Sequence, residues 1–68
     1  MKVKRFLSIS EEFDNIAIIR KYSYSNMFPQ IICHAICPEN IPKNIQNEDI
    51  REIEITDFFG EHNVTITI

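Results

Sequence analysis

The chain has 68 residues and a formal charge of −3, with 44% apolar and 25% charged residues. That length predicts one domain spanning the whole chain, near the lower limit for independent folding, since such a chain buries only roughly 60% of its unfolded surface. The apolar share argues against disorder, the acidic balance disfavours non-specific nucleic-acid binding, and no run of about 18 apolar residues offers a membrane span.

The sign of the charge is segregated. Lys2, Lys4, Arg5, Arg20 and Lys21 outweigh the acids before residue 38. Glu39, Glu48, Asp49, Glu52, Glu54, Asp57 and Glu61 outweigh Lys43 and Arg51 after it. The basic start, Met1 to Phe6, is followed by no apolar run, so no signal peptide is expected. A cytoplasmic, reducing setting follows as the default, with Cys33 and Cys37 kept as thiols. Isoleucine dominates the apolar set; Leu7 is the only leucine, and Ala17 and Ala35 are the only alanines. Isoleucine is stiff at χ1 and packs well on pleated surfaces, which leans the chain towards β structure.

In chain order, Val3–Ile9 reads as a first strand, with Val3, Leu7 and Ile9 on one face and Phe6 on the other. Residues 11–22 read as a helix. Ser10 with Glu11 and Glu12 suits a helix start, Phe13, Ile16, Ala17 and Arg20 fall at helical spacing, and Arg20-Lys21 complements the dipole at the far end. The rival is a strand through Ile16, Ile18 and Tyr22. Residues 23–27 read as loop, and Phe28-Pro29 as an extended turn.

Residues 30–37 are short, β-branched and apolar, and Pro38 ends them. They predict a central strand buried on both faces. A short helix from Pro29 is the alternative. Residues 38–49 form a connection with one helical turn after Pro42, where Ile41 and Ile45 reach the core. Residues 51–68 alternate polar and apolar on both sides of Gly60, the only glycine, and predict a β-hairpin. Pairing Phe58 with Asn63 sets Ile55 against Ile66; the tighter loop Phe59-Gly60 keeps the same two faces.

These elements predict an α+β domain: a small antiparallel sheet of about four strands with one helix packed on one face. A small five-stranded all-β barrel is the alternative.

The chemistry-bearing residues form no strong pattern. Cys33, His34, Cys37 and His62 are all the thiols and imidazoles. On a strand, Cys33 and Cys37 stand about 13 Å apart with His34 facing the other way, which defeats a joint zinc site; only on the alternative helix would the two thiols become neighbours, so no cofactor or metal is expected. A Cys–His nucleophile pair lacks walls and an oxyanion donor, so no enzyme is expected either.

Two binding readings remain. The leading one is a non-enzymatic acidic protein that binds or inhibits a protein partner, or pairs with itself as a homodimer. It would use Val64, Thr65, Ile66 and Thr67 as an unprotected sheet edge, with Glu52, Glu54 and Asp57 as its acidic flank. The alternative is a nucleic-acid module built on Lys2, Lys4, Arg5, Arg20 and Lys21 beside Phe6, Tyr22 and Tyr24.

Overall fold

A computed structural model describes residues 1–21 and 29–68. The expected loop at 23–27, the turn at Phe28, and Tyr22 and Tyr24 lie outside the described residues. The elements, in order, are helix α1 (Val3–Ile9), strand β1 (Asn15–Arg20), strand β2 (Gln30–Ala35), a 3-10 turn (Pro38–Asn40), a single helical turn α2 (Lys43–Gln46), and strands β3 (Glu52–Phe58) and β4 (Glu61–Thr67). The four strands form one open sheet in the order β2-β1-β4-β3. The protein is therefore a small α+β domain with its helix on one sheet face, and no closed barrel forms.

The first two elements exchange types relative to the sequence expectation. Val3, Phe6 and Leu7 lie at i, i+3 and i+4, so a helix gathers them on one side while Lys4, Arg5 and Ser8 face water. Alternation decides the next segment. Ile16 and Ile18 are 1% and 0% exposed on one face of β1, and a strand is what β-branched residues at that spacing favour. The end charges that resemble a helix dipole pair elsewhere: Glu11 with His62, Arg20 with Glu48 and Lys21 with Glu52.

The sheet is mixed where an antiparallel one was expected. β1 runs antiparallel to β2 but parallel to β4, from Asn15 opposite Asn63 to Ile19 opposite Thr67. The parallel partners come from opposite ends of the chain, so no local signal announces them. β2 is an edge strand, not a central one. A bulge between Ile18 and Ile19 turns Ile31 outward to 71% exposure, while Ile32 packs on the core.

The core lies on one side of the sheet. Ile16, Ile18, Ala35, Val64 and Ile66 supply its floor, and Val3, Ile41, Ile45 and Ile68 complete it. Ile41 and Ile45 reach it as the turn after Pro42 was expected to arrange. The start of the chain is tied down by Val3 N–H donating to the Glu48 carbonyl at 3.0 Å and Ile50 N–H to the Met1 carbonyl at 2.9 Å. Lys2 adds a hydrogen bond to the Asn47 carbonyl (3.0 Å) and an ion pair with Asp49 (3.6 Å).

Candidate interaction edge

The hairpin β3–β4 closes on the two residues Phe59 and Gly60, the tighter of the two loops that the alternation allows. Their φ angles are 50° and 80°. Positive φ at both central residues is the turn whose twist matches a hairpin, and glycine takes it without strain. The register runs from Phe58 opposite Glu61 to Glu52 opposite Thr67 and sets Ile55 against Val64 and Ile53 against Ile66. The isoleucines share one face, as the alternation requires, two residues away from the wider-loop register.

Cover is unequal across that pair. Val64 and Ile66 are 1% and 0% exposed, whereas Ile55 and Ile53, beside them on the same face, remain 51% and 42% exposed. All seven residues of β3 are exposed. The hairpin ends in Phe58 and Phe59, ring centroids 4.3 Å apart in an edge-on contact, with Phe59 91% exposed.

The edge is also chemically open. Phe58 and Glu61 flank a two-residue loop and so exchange both backbone hydrogen bonds; alternation then turns Thr56, Glu54 and Glu52 towards β4. Ile53, Ile55 and Asp57 aim their N–H and C=O groups away from the sheet. Backbone bonds on β4 agree: the Thr67 carbonyl accepts from β3's side, from Arg51, while Ile68 N–H turns to β1 and donates to Ile19.

One end of this edge is fixed by His62. Its Nδ1 lies 2.5 Å from Asp57 Oδ1, and its Nε2 lies 3.2 Å from Glu11 Oε2. Carboxylates accept, so this geometry favours the imidazolium, the form of the ring in which both nitrogens can donate. Asp57's hydrogen bond leads in holding the imidazole above its ordinary pKa, and the charges of Asp57, Glu11 and Asp14 act in the same direction against partial desolvation. The ring stacks on Phe13 (centroids 4.8 Å, planes 11° apart), and Phe13 stacks on Phe6 at 6.2 Å. Asp14 braces the backbone: its carboxylate accepts from His62 N–H and its own N–H donates to the His62 carbonyl, both at 2.7 Å. A groove between α1 and β3 results, lined by Phe6, Ile9, Phe13, Ile55 and His62.

The chain matches no family model, no curated protein and no solved structure.

The residues expected at the edge divide between two strands. Val64, Thr65, Ile66 and Thr67 sit on β4, which is flanked by β1 and β3, so they offer no free edge. Glu52, Glu54 and Asp57 lie on β3, which does. Glu52 is bound by Lys21 at 3.1 Å and Asp57 by His62, while Glu54 has no ion-pair partner among the described residues.

The other candidates are dispersed. Cys33 packs against the core and His34 faces outward; both cysteines are free thiols. A hydrogen bond from Cys37, after that from its own backbone, helps hold the Glu39 carboxyl below its ordinary pKa. Among the described residues no three His, Cys, Asp or Glu side chains group as a metal site. Of the five cations in the nucleic-acid alternative, Lys2, Arg20 and Lys21 are drawn into ion pairs with Asp49, Glu48 and Glu52. Phe6 is committed to Phe13. No helix among the described residues is long and apolar enough to cross a membrane.

Sequence reasoning missed the exposure of Ile53, Ile55, Phe58 and Phe59. The available signal was two adjacent aromatics at a tight turn, where polar residues are the rule.

Proposed function

We propose that this chain is a non-enzymatic interaction protein that receives an extended protein segment along the free edge of β3, in the reducing cytoplasm. The observation that carries this reading is a seven-residue edge strand, exposed throughout, with two isoleucines on its apolar face and no proline within it, two of whose three charges, Glu52 and Asp57, are engaged by Lys21 and His62 of the same chain. Edge strands in monomeric proteins are commonly blunted by proline or charged residues, by bulges or by a covering element. An added strand would gain the hydrogen bonds that Ile53, Ile55 and Asp57 offer and would cover Ile53 and Ile55. Occupation of this edge would also block whatever the partner's segment otherwise pairs with, which is how binding becomes inhibition.

Ile55→Pro tests the reading cleanly, because the Ile55 N–H points outward and its loss removes no bond to β4. The variant should keep its circular-dichroism spectrum. Partners captured from the native cells by the tagged wild-type chain should be lost from it. Equal capture by both proteins would end the proposal.

A further inference from the structure

The edge reading leaves the occupant open, and the chemistry of β3 itself names one. We infer that the strand docked on β3 is β3 of a second copy, antiparallel and centred on Ile55. This rests on the edge reading and narrows it to one partner.

The register follows from hydrogen bonding and charge. Centring on Ile55 sets Ile55 against Ile55 of the second copy and Ile53 against its Asp57. The three residues whose backbone groups face outward thereby meet one another, and every outward N–H finds a carbonyl. On the other face Glu54 meets Thr56 of the second copy, a hydroxyl donor for the acid that has no ion-pair partner among the described residues. Arg51 falls diagonal to Asp57 of the second copy on the apolar face, within reach of a long side chain.

Neighbouring registers are worse. Centring on Glu54 places that carboxylate against its own copy, and centring on Ile53 sets Glu52 against Glu54; like charges directly opposite are destabilising. Centring on Thr56 brings no like charges together but leaves only Ile55 and Asp57 in bonded pairs and sets Glu54 against Phe58 of the second copy. A shift by one residue would turn one copy's isoleucine row to the other side of the sheet. The acidity of β3 does not forbid pairing, since Lys21 balances Glu52 and His62 balances Asp57 within each copy.

The two-fold axis runs perpendicular to the sheet, so both apolar faces stay on the same side. The two four-stranded sheets become one continuous sheet, with the half-exposed Ile53 and Ile55 of each copy side by side at its centre. Each copy's groove along Phe6, Ile9 and Phe13 then flanks this joint. A single strand pair is a small interface, which places the dissociation constant in the micromolar range or weaker.

Sedimentation of the full chain under reducing conditions, from about 10 μM to about 1 mM, reads this directly. Expected are a concentration-dependent dimer, a folded monomer for Ile55→Lys, and a tighter dimer for Thr56→Lys. The last places a lysine opposite Glu54 of the second copy twice, for a gain of roughly two- to thirtyfold. A wild-type chain that stays monomeric throughout overturns the inference, as does a dimer that survives Ile55→Lys or is weakened by Thr56→Lys. A monomer whose captured partner is lost on Ile55→Pro would refute self-pairing and leave the edge reading standing. A monomer with capture indifferent to that variant would remove both.

Discussion

His62 is the residue on which the closed end of the hairpin depends, and its charge makes that end sensitive to pH. The folded imidazole titrates above its ordinary value because Asp57 and Glu11 accept from the protonated ring. A raised folded pKa means that the contribution is fully present below the unfolded value, near 6.5, and fades as pH rises through the folded one. Melting temperature should therefore fall on going from mildly acid to mildly alkaline solution. His62→Gln should flatten that slope; an unchanged slope in the variant would assign it to other groups. Three residues away, Phe59 sits at φ 50° with its ring in water. A non-glycine residue pays about 1–2 kcal/mol for the left-handed region, and asparagine tolerates it better. Phe59→Asn should raise stability in chemical denaturation by roughly 0.5 kcal/mol, the relieved strain less the exposed contact with Phe58. Gly60→Ala should lower it by about 1 kcal/mol. Nothing stands within 4 Å of an added Cβ, so that cost would come from the backbone alone.

At the scale of elements, burial separates isoleucines that look alike in the sequence. Ile18 on β1 is 0% exposed and Ile31 on β2 is 71% exposed, though their strands are neighbours. Ile18→Ala should cost about 2–5 kcal/mol, enough to unfold a domain of this size, while Ile31→Ala should stay within about 0.5 kcal/mol of wild type in a urea titration. The sequence distinguishes neither residue, because the bulge that divides them is a property of the pair of strands. The hairpin was legible for the opposite reason. Alternation on both sides of a lone glycine is local, and it placed Ile53, Ile55, Val64 and Ile66 on one face correctly. The turn at Lys43–Gln46 was legible from Pro42 and the spacing of Ile41 and Ile45. The exchange of helix and strand at the start shows how short segments mislead. In seven residues Val3, Leu7 and Ile9 fit a strand nearly as well as Val3, Phe6 and Leu7 fit a helix. Three of the charges that suggested a helix, Glu11, Arg20 and Lys21, were serving ion pairs with residues more than twenty-five positions away.

At the scale of the whole molecule, the deciding contact is the parallel seam between β1 and β4, whose partners stand 48 residues apart in the chain. It makes β4 an inner strand and β3 an edge, so the candidate site follows from a pairing that no local pattern encodes. Closing such a span before any contact rewards it slows folding, and stopped-flow refolding should lie in the millisecond range or slower; microsecond refolding would show that the seam is not limiting. The same seam divides the chain. Before the exposed turn Pro38–Asn40 come α1, β1 and β2 and after it α2, β3 and β4, so that turn alone joins the two halves covalently, while the start of the chain reaches across to Glu48 and Ile50. A protease nick there would leave two pieces, each with a row of isoleucines that only the other can cover. Peptides 1–39 and 40–68, featureless apart, should regain the intact spectrum when mixed, which would make this small protein a two-part reporter that lights up only when its halves are brought together.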